Sequence, residues 1–153
     1  MLVFILDANI KSSLSAVRSA ARAGFRVVSG AERDSAMGLH SNCVLDTFIY
    51  PSPVLHQQSF IESLIAAAKT QAERPILICF SDATYLSVAR HKDVLAEHFQ
   101  LLLPEDKSIE TAFSKDATYQ LARRLKVPTI KELNIDEVVS FPEGYTLLAA
   151  NSI

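Results

Sequence analysis

The sequence predicts an α/β fold, an open parallel β-sheet with helices on both faces. Leu2–Leu6 and Ile76–Ile78 are apolar runs without a polar break, which is typical of strands buried on both faces of a sheet. Segments with helical periodicity alternate with such runs, as expected when crossover helices join parallel strands. We therefore expect strands that all run in one direction, followed by a short helical and strand segment.

Composition narrows the class of protein. The 153 residues are 49% hydrophobic and 21% charged, with a net charge of −2, which is typical of a globular chain. The sequence contains no long basic run, which argues against nucleic-acid or membrane-surface binding. No apolar run is long enough to span a membrane, and no basic residues precede the first run as in a signal peptide. We expect a cytoplasmic protein that binds neither nucleic acid nor membranes.

The cysteines and histidines do not suggest a metal site. Cys43 and Cys79 occupy separate apolar segments, where small core residues are expected, and the four histidines lack metal-ligand spacing. Cys79 lies close to Ser81, which leaves a nucleophilic role open, but no histidine lies near it in the sequence.

The first strand leads into a polar turn and a helix. Asp7–Asn9 follow the apolar run, and Ser12 or Ser13 is expected to cap the next helix. Gly24 is expected to end that helix in the left-handed conformation. Further strands are predicted over 25–29 and 44–50, and a capping-box pattern at Ser59 predicts a helix start there.

A second polar turn repeats this arrangement after the strand Pro75–Phe80. Since the carboxyl ends of parallel strands meet at one edge, both turns are expected to face the same crevice. The predicted crevice residues are Asp7, Asn9, Ser12, Ser81, Asp82 and Thr84. The alternative is that they form Asx-turns and helix caps, with Asp82 as the cap of the next helix.

The last third of the chain has a different pattern. A short strand over Leu101–Leu103 ends at Pro104, and helices are predicted over 107–113 and 114–127. A short helix over 132–139 and a strand over 145–153 are expected to follow.

Three segments, in order, resemble the N-terminal part of ATP-grasp ligases, especially the carboxylate–amine ligase-like members. They are FILDAN with SSLSAVRSAARAGFRVV, then PILICFSDATYLSVARHKDVLAEHF, then SKDATYQLARRLKVPTI. The resemblance covers roughly residues 1–130. It implies a Rossmann-like pre-ATP-grasp domain over 1–104 and the beginning of an incomplete ATP-grasp domain over 105–153.

The resemblance also implies a reaction. In the family, ATP and Mg²⁺ activate a carboxylate as an acyl phosphate, which an amine then attacks. Lys115 matches the lysine that binds nucleotide phosphates, and small carboxylate and amine molecules are the implied substrates. No catalytic or metal-binding residue is carried over.

Two departures from the family pattern matter. Ser114 stands where the family has aspartate, and alanine or asparagine at 149–151 stands where a Lys-Pro pair is usual. We therefore expect these 153 residues to be either a truncated part of a larger enzyme or the product of a decayed reading frame, in both cases inactive alone and without bound ATP or Mg²⁺.

Two other classes stay open. A non-enzymatic Rossmann-like module would bind a small ligand or a partner, and the apolar strand over 145–153 could pair with a second copy to form a homodimer. A nicotinamide-dependent oxidoreductase is disfavoured, because the turn after the first strand has no glycine to approach a pyrophosphate.

Overall fold

A computed structural model describes residues 1–129 of the chain. The chain divides into two compact units, with the boundary between Leu103 and Pro104. The first unit contains the β-sheet, and the described part of the second contains two helices.

The sheet of the first unit has five parallel strands in the order β3-β2-β1-β4-β5. The strands are β1 (Leu2–Ile5), β2 (Arg26–Ala31), β3 (Asp46–Ile49), β4 (Ile76–Ile78) and β5 (Gln100–Leu101). This arrangement confirms the predicted Rossmann-like α/β fold.

The central strand β1 organises the core. All four of its residues are buried, since neighbouring strands flank it and helices cover both of its faces. Phe4 is fully buried and lies 5.4 Å from Phe99 and 5.6 Å from Phe48, measured between ring centroids. Aromatic packing of this kind adds stabilisation to the burial of apolar area.

Helices pack on both faces of the sheet, as predicted. On one face lies α1 (Lys11–Arg22), whose Val17 packs with Val3 and Ile5 of β1. The opposite face is covered by α2 (Gln57–Lys69), α3 (Asp82–Arg90) and α4 (Lys92–Leu95). Their buried side chains there are Phe60, Ile61, Leu64, Ala68, Val88 and Leu95.

The predicted serine cap of α1 is wrong. The helix begins at Lys11 after Ile10, and no side chain caps it. Ser13 is buried, and its Oγ donates to the Leu6 carbonyl at 2.8 Å, so this hydroxyl ties the helix to the end of β1. The predicted C-terminus is correct, because Gly24 adopts φ +85° beyond the last turn.

The predicted starts of α2 and α3 are also corrected. The turn after β3 brings the His56 N–H to the Ser52 carbonyl at 2.9 Å, and α2 therefore begins at Gln57 rather than after Ser59. Ser81, and not Asp82, caps α3, since its Oγ accepts from the Thr84 N–H at 3.2 Å.

The described part of the second unit is a helical pair. It consists of α5 (Asp106–Phe113) and α6 (Lys115–Arg124), with Ser114 between them. The Ser114 Oγ accepts from the Ala117 N–H at 3.2 Å and caps α6. The helix predicted over 132–139 and the strand predicted over 145–153 lie outside the described residues.

The C-terminus of α6 is closed by a residue with a left-handed backbone. Lys126 has φ +56°, its N–H donates to the Arg123 carbonyl, and the Val127 N–H donates to the Ala122 carbonyl. This is the Schellman arrangement, in which glycine is the usual residue at the left-handed position. A side chain there costs free energy that glycine avoids.

We expect Lys126→Gly to stabilise α6 by about 1 kcal/mol, because it removes the steric cost of a Cβ at positive φ. The measurement is amide hydrogen exchange of α6 in the full chain. Lys126→Ala is the matched control, because alanine keeps the Cβ and removes only the charged side chain. An equal gain in both variants would show that charge, not backbone conformation, is the cause.

Candidate functional site

The candidate site lies where β1 and β4 are neighbours in the sheet. The chain runs outward from β1 to β3 and then crosses back to β4, so the two central strands lead to opposite halves of the sheet. Ligands of such sheets bind beyond the carboxyl ends of the strands at this switch point. The residues that follow β1 and β4 therefore form the candidate site.

Asp7 bridges these two strand ends. Its Oδ2 accepts from the backbone N–H groups of Phe80 at 2.8 Å and Ser81 at 2.9 Å, and from the Thr84 Oγ1 at 2.7 Å. Its Oδ1 accepts from the Ser81 Oγ at 3.0 Å and the Tyr50 hydroxyl at 3.3 Å. We call these five residues, Asp7, Tyr50, Phe80, Ser81 and Thr84, the Asp7 latch.

The backbone of Asp7 makes the bridge possible. It has φ +61°, a conformation that aspartate tolerates better than most residues. Its N–H donates to the Tyr50 hydroxyl at 3.0 Å, and its carbonyl accepts from the Ile10 N–H at 2.8 Å. This left-handed residue lies two positions after β1 and lets the side chain cross to the residues that follow β4.

Tyr50 supplies the third element of the latch, from the end of β3. Its side chain is buried and packs 5.1 Å from Phe60, measured between ring centroids. Burial, reinforced by the negative charge of Asp7, raises the pKa of the Tyr50 phenol above its ordinary value. The hydroxyl therefore keeps its proton and remains a donor to the carboxylate.

The latch leaves the Asp7 carboxylate with no free acceptor. A carboxylate has about four lone-pair sites, and five donors from this chain already contact Asp7. Asp7 is also only 5% exposed. In this geometry its role is to position the loops that follow β1 and β4.

The six predicted crevice residues fall into two groups. Asp7, Ser81 and Thr84 are brought together in the latch. The other three, Asn9, Ser12 and Asp82, lie exposed on the surface. Asn9 precedes α1, Ser12 is in its first turn, and Asp82 is the first residue of α3.

Tyr50 is the latch side chain that sequence reasoning missed, since Phe80 contributes only its backbone N–H. It was expected only as the last residue of a strand before Pro51. A tyrosine, whose buried hydroxyl usually has a hydrogen-bond partner, was the available signal. Its partner is 43 positions away, so no local pattern could have identified it.

The turn after β1 is covered by another part of the chain. The Ala8 N–H donates to the Gly30 carbonyl at 3.0 Å, and the Ala8 carbonyl accepts from the Gly38 N–H at 2.8 Å. Gly38 belongs to the 3₁₀ turn Met37–His40, and Ala8 is fully buried. Both backbone polar groups of Ala8 are therefore hydrogen-bonded within the chain.

Cys79 lies beside the latch, directly after β4. Burial, with a smaller contribution from the charge of Asp7, raises the pKa of its thiol from 9.0 to about 12. The thiolate is the nucleophilic form, so a raised pKa disfavours nucleophilic reactions of this thiol. Cys79 also packs against the apolar core cluster, which favours a core role over a nucleophilic one.

Lys115, the residue matched to a nucleotide-binding lysine, lies in the second unit. It is exposed in the first turn of α6, next to the Ser114 cap. Unpaired backbone N–H groups and the helix dipole make a helix N-terminus favourable for anions. A lysine at this position is electrostatically disfavoured unless an anion lies nearby.

Two further properties apply to residues 1–129. This part of the chain has no group of three or more His, Cys, Asp or Glu side chains placed to hold a metal ion. None of its helices combines the length and the apolar character needed to cross a membrane.

Comparison with known proteins does not identify a family for this chain. No protein-family model matches the chain, and no curated protein matches it.

Proposed function

We propose that this chain forms the front part of an ATP-dependent ligase, which activates a carboxylate as an acyl phosphate for attack by an amine. In this proposal the first unit is a pre-ATP-grasp domain that lines the substrate crevice. Lys115 contacts the phosphates of ATP, and small carboxylate and amine molecules are the substrates. The proposed location is the cytoplasm.

The observation that carries the proposal is the placement of the three resembling segments. The first covers the end of β1, most of α1 and the start of β2, the second spans β4 to α4, and the third spans α6. The first two segments supply the neighbouring strand ends at the switch point, joined by the Asp7 latch. The third supports an anion-binding role because its lysine is exposed at a helix N-terminus.

We expect Lys115→Ala to weaken ATP binding by tenfold or more, because it removes a positive charge proposed to contact the phosphates. The measurement is calorimetric titration with ATP and Mg²⁺, on the protein continued through any downstream ATP-grasp sequence that its gene encodes. Lys69→Ala is the matched control, because Lys69 is an exposed lysine at the end of α2. Unchanged affinity in Lys115→Ala would contradict the proposed role of this residue.

One observation favours a second candidate, a non-enzymatic binding module. The acceptors of Asp7 are all occupied by donors of its own chain, so this carboxylate is not available for acid–base chemistry. A latched, preformed sheet edge suits ligand or partner binding without catalysis. Absence of ATP binding by the unsubstituted protein in the same titration would favour this candidate over the ligase.

A further inference from the structure

A small apolar cavity lies at the carboxyl ends of β4 and β5, within the first unit. Its volume is about 190 Å³. Leu77 and Val88 form part of its wall and are buried, while Cys79 and Leu101 are partly buried. The cavity is partly open and is walled by residues of β4, β5 and α3.

The lining determines the kind of ligand that fits. None of the eight residues around the cavity carries a charged side chain, and five are leucine or isoleucine. The Cys79 thiol is neutral, because burial raises its pKa to about 12. Transfer of a charged group into such surroundings is unfavourable without a partner. The cavity therefore selects uncharged, apolar groups.

The volume restricts the ligand further. A cavity of about 150 Å³ in another protein binds benzene, whereas sites for whole drug-sized ligands have about 300–1,000 Å³. The space beside Leu77 therefore holds one aromatic ring or one branched aliphatic group.

The location connects the cavity with the proposed site. It follows the ends of β4 and β5, on the edge of the sheet where ligands of this fold bind. Leu102 lines it and is 76% exposed, so the lining extends to the surface. Cys79 is adjacent in sequence to Phe80, whose N–H donates a hydrogen bond to the Asp7 Oδ2.

We propose that this cavity is a subsite for one aromatic or branched aliphatic group of the substrate. That the bound group belongs to a substrate rests on the proposed function, but the binding of an apolar group to the cavity does not depend on it. It adds a specificity that the ligase proposal leaves open, namely that one substrate carries an apolar side group.

The test is an NMR titration of the full chain with benzene, following the methyl signals of Leu77 and Val88. We expect saturable shifts with a Kd in the millimolar range. Benzoate, the charged analogue, should bind at least tenfold more weakly. Absence of saturable shifts with benzene, or equal binding of benzoate, would overturn the subsite.

Two variants locate the binding. Cys79→Leu fills part of the cavity and should weaken benzene binding at least tenfold. Cys43→Leu, the same substitution at a partly buried cysteine outside the cavity, should leave binding unchanged. If Cys79→Leu does not fold, Val88→Ile adds a single methylene to the wall and should weaken binding about threefold. Unchanged affinity in the folded cavity variant would refute the location.

The titration separates this inference from the ligase proposal. Benzene has no group that reacts with ATP, and Lys115 is not in the cavity lining. If the protein binds benzene but does not bind ATP, the ligase proposal is rejected and the apolar subsite is retained. If the protein binds ATP but not benzene, only the subsite is rejected.

Discussion

Asp7→Ala is expected to destabilise the first unit by about 4 kcal/mol, the largest effect of any substitution that we propose. It leaves the Phe80 and Ser81 N–H groups without their shared acceptor, whereas the Thr84 hydroxyl can still donate to the Ser81 carbonyl at 3.1 Å. A buried donor without a partner costs about 1–3 kcal/mol, and bonds to a charged group lie at the upper end. Alanine is also less tolerant than aspartate of the φ of +61°.

Chemical denaturation followed by circular dichroism measures this loss. Because single domains are commonly stable by only 5–15 kcal/mol, the variant should unfold at a much lower denaturant concentration. Asp7→Asn is the informative second variant. It keeps the shape and one acceptor oxygen, so about half of the loss is expected. A loss below 1 kcal/mol in Asp7→Ala would show that the latch contributes little to stability.

Gly38→Ala is expected to destabilise the first unit by about 2 kcal/mol. A Cβ at this position would lie 2.9 Å from the Ala8 carbonyl oxygen and 3.0 Å from the Ala8 Cβ. The Gly38 N–H donates to that same carbonyl at 2.8 Å, so the two segments cannot separate without losing the bond. Crowding of packed interiors typically costs 1–3 kcal/mol.

Thermal unfolding provides the measurement for Gly38→Ala. Met37→Ala serves as the neighbouring control, because Met37 is in the same 3₁₀ turn and is 46% exposed. Surface substitutions of that kind usually change stability by less than 0.5 kcal/mol. Equal effects in both variants would show that the contact of Gly38 with Ala8 is not the cause.

These two predictions concern contacts that local sequence patterns describe only in part. The turn Asp7–Asn9 was expected from its polarity, and Asp7 was expected at the crevice edge. That Asp7 would bind the loop after β4 depends on β1 and β4 being neighbours. The helix caps show the same limit, since Ser13 bonds to the Leu6 carbonyl rather than capping α1.

The sequence by itself determined the fold class, because buried parallel strands and amphipathic helices have different periodicities that are visible locally. It also determined the left-handed end of α1 at Gly24, where glycine avoids a steric cost. Only the tertiary structure decided the partners of Asp7, the cover over Ala8 and the cavity beside Leu77. Each of these joins residues far apart in the chain, and such contacts depend on how strands and helices pack together.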